Sequence, residues 1–217
     1  TSDVSKVVPI ATVAELDYDP VFLERFPVEE LLNNTVTFLH SSKEFHWNEK
    51  WHFDDKSALW NFNLHYFEFL FSLVDVYRKT GDKKYLDKSI EIIRCWINQN
   101  PKANGGEGWS SYTIDLRLTN WLGYYAAVHT ELDDDFQSLF INSVHEQYEF
   151  LSRHLEKDIL GNHYFEDLKA LVLCALFFND ELVLHIALKA FKVECKEEIL
   201  PDGMHFELSP MYHKLIF

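Results

Sequence analysis

Apolar positions recur at helical spacing along most of the chain. From Asp82 to Asn100, Tyr85, Ser89, Ile92, Ile93, Trp96 and Ile97 share one face, in the three- and four-residue steps of an amphipathic helix. Val28 to His40, after Pro27, predicts a second helix. Leu64 to Tyr77 predicts a third, preceded by Asn63 and stopped at Gly81, a good terminator because glycine accepts the left-handed conformation. Further helices are expected over Tyr112 to Thr130, Asp135 to Leu155, Tyr164 to Phe178 and Asp180 to Leu200, and a last one opens at Pro210. Extended character is confined to short pieces such as Met204 to Glu207. The pattern predicts an all-α fold.

Polar-aromatic clusters precede alternate helices and repeat. Asn63, Tyr112, Asn162 and Tyr212 stand 49, 50 and 50 residues apart (112−63, 162−112, 212−162). Such a period fits one helical hairpin with its loops, so the chain reads as stacked α-hairpins, about four of them. Every second helix then runs the same way, and the clusters gather at one end of the inner helices, where a curved array makes a cleft. Residues 1–56 read as an extension with the first helix, and 57–217 as the repeat array. Pro210 to Phe217 opens a helix and stops after about two turns, so the expectation is a piece of a longer protein.

Composition narrows the class. Of 217 residues, 47% are hydrophobic and 25% charged, with only 7 Gly and 6 Pro, which excludes disordered and low-complexity chains. A formal charge of −15 argues against a nucleic-acid coat, which needs a broad basic face. No apolar run approaches the ~20 residues of a membrane span. Cys95, Cys174 and Cys195 lie in apolar surroundings without CxxC spacing, so no disulfide framework is implied. No leader is visible, and periplasm and cytoplasm both stay open. The sequence holds no HExxH, GxSxG or P-loop. His40, His46 and His52, six residues apart, do not have the spacing of a metal site, and no metal or cofactor is expected.

Four segments carry candidate chemistry. In "LGNHYFEDLKAL", Asn162 and His163 open a helix, whose free N–H groups and partial positive charge suit a carboxylate; Asn162 as a simple N-cap is the alternative. In "ILPDGMHFELSPMYH", Ser209 and Pro210 start a helix, placing Tyr212 and His213 in its first turn with Glu207 nearby. In "GWSSYTIDLRLTNW", Arg117 could clamp a carboxylate with two parallel hydrogen bonds or answer a structural acid, and Trp109 and Tyr112 precede it. "LWNFNLHYFEFLF" offers Asn61, Asn63, His65 and Tyr66. Trp60, Trp109 and Trp121 could stack on sugar rings, although helical spacing favours a core role.

Together and in this order, "NFNLHYFEFL", "WSSYTIDLRLTNW", "GNHYFEDLKAL" and "ILPDGMHFELSPMYH" resemble the N-terminal helical domain of the heparinase II/III-like polysaccharide lyases, over about residues 57 to 217. The resemblance implies an incomplete (α/α) toroid followed by a C-terminal β-sandwich, and β-elimination of uronic-acid-containing polysaccharide. It assigns carboxylate neutralisation to Asn162, with His163 beside it, and the base, also the acid, to Tyr212. Arg117 and His213 lie in matching motifs. The sequence departs from the family pattern in two ways: the toroid stops short, and the β-sandwich, which in the family supplies a further catalytic His, is absent. These 217 residues alone are therefore expected to bind weakly and turn over little.

The chemistry fits those residue types. The C5 proton of a uronide is α to a carboxylate, and donors that stabilise the developing enolate make its removal feasible. A phenol near its ordinary pKa of about 10 needs a neighbouring cation to act as base. Two other readings compete: a glycoside hydrolase on a related toroid, using a carboxyl pair drawn from Glu68, Glu107, Glu166 and Glu207, and a non-catalytic polysaccharide-binding toroid. The partner expected in each case is an acidic polysaccharide, with no nucleic acid and no membrane span. The −15 charge favours a uronide less charged than densely sulfated heparin, since repulsion beyond about 8–10 Å is only screened by salt.

Overall fold

In a computed structural model of the chain, which describes residues 19–102, 105–156, 162–200 and 202, most long helices start where an oxygen-bearing side chain closes the first turn. Ser57 caps α3 (Ala58–Tyr66) by accepting from the Trp60 N–H at 3.2 Å. Asp82 caps α5 (Lys83–Gln99), Asp133 caps α7 (Asp134–Leu151) and Asp180 caps α9 (Glu181–Glu198) in the same way. Each such cap is worth about 1 kcal/mol. Two short helices, α1 (Pro20–Leu23) and α2 (Val28–Leu32), precede α3. The others are α4 (Leu70–Thr80), α6 (Ser111–Val128) and α8 (Asn162–Phe177). Left-handed residues end α4 at Gly81 and turn the chain at Asn179 between α8 and α9.

The elements form two layers. α6 packs between the broken helix α3–α4 on one side and α8 on the other, while α5, α7 and α9 return behind them. The fold is all-α, an array of hairpins as the periodicity implies, in the incomplete (α/α) toroid that the family resemblance implies. Inner helices start at 58, 111 and 162, steps of 53 and 51 residues (111−58, 162−111). No helix among the described residues is long and apolar enough to cross a membrane. The expected helix at Pro210 and the extended piece Met204 to Glu207 lie outside the described residues.

Two expectations need correction. Asn63 does not precede its helix: α3 begins at Ala58 and breaks after Tyr66, where Phe67 takes a left-handed conformation (φ 65°) with its ring fully buried. Burial of that ring, worth roughly 3–5 kcal/mol, outweighs the strain of the backbone. Val28 to His40 is not one helix either. α2 stops at Leu32, and β1 (Thr35–Phe38) pairs antiparallel with β2 (Ser41–Glu44), Phe38 opposite Ser41. The β-branched run Thr35-Val36-Thr37 suits a strand. Alternation buries Val36 and Phe38 and leaves Thr37 facing Ser42 at 2.8 Å.

The aromatic residues (16% of the chain) make the core. Phe67, Trp96 and Trp121 meet edge to face at 5.2–5.9 Å. Phe45, Trp47, Trp51 and Phe53 extend this cluster over α3. Trp60, Trp109 and Trp121, considered above for sugar stacking, are buried and are core residues.

The β1–β2 turn consists of Leu39 and His40, both left-handed (φ 53° and 60°), a conformation that Asn-Gly adopts with little strain and Leu-His does not. The double substitution Leu39→Asn, His40→Gly should stabilise the chain by roughly 1–2 kcal/mol, read as a raised urea midpoint with an unchanged slope.

Candidate functional site

Three inner elements bring side chains to one rim. α6 starts at Ser111, whose hydroxyl donates to the His154 carbonyl at 2.6 Å and so fastens the chain that follows α7. Tyr112, next along, lies flat on His163 in the first turn of α8, ring centres 4.2 Å apart. Tyr66, the last residue of α3, meets Tyr112 edge to face at 6.1 Å. His163 Nδ1 is 2.6 Å from the Glu156 carboxylate, and the Glu156 N–H donates to Asp167 Oδ2 at 2.7 Å. Burial, then the neighbouring Tyr112, Asp115 and Glu68, push the Tyr66 phenol above its ordinary value. A rim of two phenols and an imidazole at a helix N-terminus can hold and orient an anion.

Of the residues singled out from sequence, His163 and Tyr112 come together here. Asn162 is the first residue of α8, in the same turn. Asn63 lies one turn before Tyr66 on α3, its amide donating to the Leu59 carbonyl at 2.7 Å; it lines a recess with Arg25 and His40. Tyr212, His213 and Glu207 lie outside the described residues.

Arg117, His65 and Trp109 need correction. Arg117 is fully buried. Its guanidinium donates to Gln147 Oε1 (2.7 Å), the Gly108 carbonyl (2.8 Å) and the His65 carbonyl (3.3 Å), and lies 4.0 Å from the Trp96 ring centre. It is an internal tie rather than a clamp on substrate. His65 accepts from Trp96 Nε1 at 2.9 Å through Nδ1, which leaves its own proton on Nε2 for the Trp51 carbonyl at 3.0 Å. Burial, then the Arg117 charge, lower its pKa to about 3, so it is neutral and structural. Trp109 donates from its indole to the Asn100 carbonyl at 2.9 Å. A Cβ at Gly108 would lie 3.1 Å from the His65 ring, a tight contact that the ring would have to yield to.

Glu156, Asp115 and Asp167 were not anticipated as site residues. The signal available was acids inside apolar helical stretches: "TIDLRL" and "YFEDLKAL". Of the acids considered for a hydrolase, the three among the described residues each face a different partner. Glu107 holds His52 at 2.9 Å, Glu68 faces Arg25 at 3.6 Å, and Glu166 is buried against Lys169. Among the described residues, no three His, Cys, Asp or Glu side chains are placed to hold a metal ion.

The profile of the family described as heparinase II/III N-terminus matches residues 12–217. A heparin-sulfate lyase of Pedobacter heparinus is 28% identical over 181 residues, covering 79% of this chain and 27% of the relative. A heparin-sulfate lyase of Bacteroides thetaiotaomicron is 28% identical over 224 residues, covering 94% of this chain and 30% of the relative. The crystal structure of heparan sulfate lyase HepC from Pedobacter heparinus superposes with a TM-score of 0.75 at 22% identity, covering 94% of this chain and 34% of that one. The chain thus spans about a third of the length of the proteins it resembles.

Two outcomes follow from the buried cation and the buried imidazole. Arg117→Met should destabilise the chain by roughly 3–5 kcal/mol, because three oxygens lose their donor inside the protein. Arg117→Lys should restore little, since an ammonium cannot reach three divergent oxygens from one stem; urea unfolding of both variants measures this. The unfolded chain protonates His65 below its ordinary pKa of about 6.5, whereas the folded ring resists until about 3. Its contribution to stability is therefore present above about pH 6.5 and is lost as pH falls toward 3. His65→Gln should flatten the fall in stability over that acidic range.

Proposed function

Because the chain belongs to the heparinase II/III N-terminus family, we propose that it is the helical part of a polysaccharide lyase that cleaves a uronic-acid-containing polysaccharide by β-elimination. The observation that carries this reading is the stacked Tyr112–His163 pair at the start of α8, in the helical turn that Asn162 opens. The α8 N-terminus supplies backbone N–H donors and the positive end of a helix dipole, where an enolate developing on the substrate carboxylate needs them. Asn162 and His163 add side-chain donors to that carboxylate. The Tyr212 phenolate removes the C5 proton, the C4–O4 bond breaks as the C4–C5 double bond forms, and the phenol returns its proton to O4 of the leaving sugar.

Arg117 takes no part in this scheme, since its donors are held inside the protein. Half-buried Tyr112, stacked on His163, instead offers a ring edge on the rim. For substrate, the names of the two relatives point to heparin sulfate, and the −15 charge of this chain favours polymer of low sulfation, for which long-range repulsion is weakest.

Ultraviolet absorbance of the conjugated alkene tests the reading on the parent-length protein, with heparan sulfate and unsulfated uronides as substrates. Product should form, and Tyr212→Phe and Asn162→Ala should each lower kcat by about 100-fold or more. Cleavage without alkene would replace elimination by hydrolysis, and binding without product would make the toroid a binding module. The 217-residue chain alone should give little turnover.

A further inference from the structure

Three carboxylates beneath the rim are unused by the scheme above. Asp115 of α6 and Glu166 and Asp167 of α8 are fully buried. Glu166 is ion-paired with Lys169 one turn along. Asp115 Oδ1 accepts the Leu116 N–H, while among the described residues Asp115 Oδ2 and Asp167 Oδ1 have no donor. Yet the Asp115 and Asp167 side chains lie within hydrogen-bonding reach of each other. Two ionised carboxylates at that separation, away from water, repel strongly. One proton between them makes an O–H···O bond that uses both free oxygens.

The second oxygen of Asp167 leads outward. It accepts the Glu156 N–H at 2.7 Å, the Glu156 carboxylate holds His163 Nδ1 at 2.6 Å, and His163 stacks on Tyr112. An unbroken series of bonds therefore joins the buried pair to the rim. We propose that Asp167 is a positioning residue for the rim, acting through a proton it shares with Asp115. With that proton present, Glu156 and His163 are held against Tyr112. Without it, the repelled carboxylates separate and Glu156 loses its anchor, while the Ser111–His154 bond keeps the preceding chain in place.

Groups of both signs face the pair, and burial outweighs those that oppose the proton. Glu166 lies on α8 with Lys169 opposing it, and Glu156 and His163 face Asp167 from the rim. Tyr66 faces Asp115 from α3, Arg117 follows along α6, and Tyr164 stands near Asp167 with Glu194 of α9 behind it. Burial, then Asp167 and Glu166, hold Asp115 well above the carboxylate range. Burial foremost pushes Asp167 up to about 7. The folded state thus keeps a proton that the unfolded chain releases near pH 4, and stability falls as pH rises from about 4 to about 7.

The test is NMR on this chain, following the carboxyl carbons of Asp115 and Asp167 and the Glu156 amide from about pH 5 to about 9. All three signals should shift together in one transition near neutrality. Asp167→Asn mimics the protonated acid, donating to Asp115 and accepting from Glu156; it should keep the Glu156 amide at its low-pH position and abolish the transition. Asp167→Leu should displace that amide at every pH. A Glu156 transition that persists in Asp167→Asn overturns the proposal, as does an unmoved amide in Asp167→Leu. If the leucine variant does not fold, the wild-type and asparagine titrations decide. The consequence for turnover rests on the lyase reading: in the parent-length protein Asp167→Asn should change the alkaline limb of the kcat profile and leave KM unchanged. Absence of product from the wild type would overturn the lyase reading alone, since the NMR titration judges the positioning role independently.

Discussion

One buried cation organises the fold. Arg117 stands in the middle of α6 and reaches the last turn of α3 through the His65 carbonyl, the turn before α6 through Gly108, and α7 through Gln147, with the Trp96 ring of α5 against its face. None of the three acceptors is a formal anion, so the charge is balanced by oriented dipoles, an aromatic face and the nearby Asp115. A guanidinium taken out of water is tolerated only when its donors are matched. That requirement ties the register of α3, α6 and α7 to one residue, whose charge adds to burial in keeping the His65 imidazole neutral.

Buried titrations of opposite sign result. His65 is kept without its proton by burial and by Arg117, whereas Asp115 and Asp167 keep the proton they share chiefly through burial. The first weakens the fold toward acid and the second toward alkali, so their sum leaves an optimum between them. The two sets also divide the protein. The neutral histidine belongs to the aromatic core, beside Trp51 and Trp96, while the acids lie under the rim.

This division bears on function. The large aromatic rings are committed to the core, which leaves the rim to Tyr66, Tyr112 and His163. A surface built of phenols, an imidazole and a helix N-terminus suits an anion better than a bare sugar face. The chain spans about a third of the length of its relatives.

The hairpin array and several helix starts were legible in the sequence because they rest on local chemistry: apolar steps of three and four, acids before α5, α7 and α9, and glycine after α4. The hairpin at Thr35 to Glu44 was not, since Leu39-His40 carries none of the turn chemistry that announces a reversal. The break at Phe67 was hidden for the same reason, as burial rather than glycine holds its left-handed backbone. The candidate site divides along that line too. His163 and Tyr112 stand in motifs at helix starts and are brought together by the packing of α6 against α8. Arg117 reads as a clamp in one dimension, because a cation within an apolar helix looks the same whether it faces substrate or core. The sequence by itself determined the all-α class, the hairpin period and the helix ends near which the rim residues lie. Only the tertiary structure decided which charges are internal and which acids share a space, because burial and hydrogen-bond partners are set by segments distant in the chain.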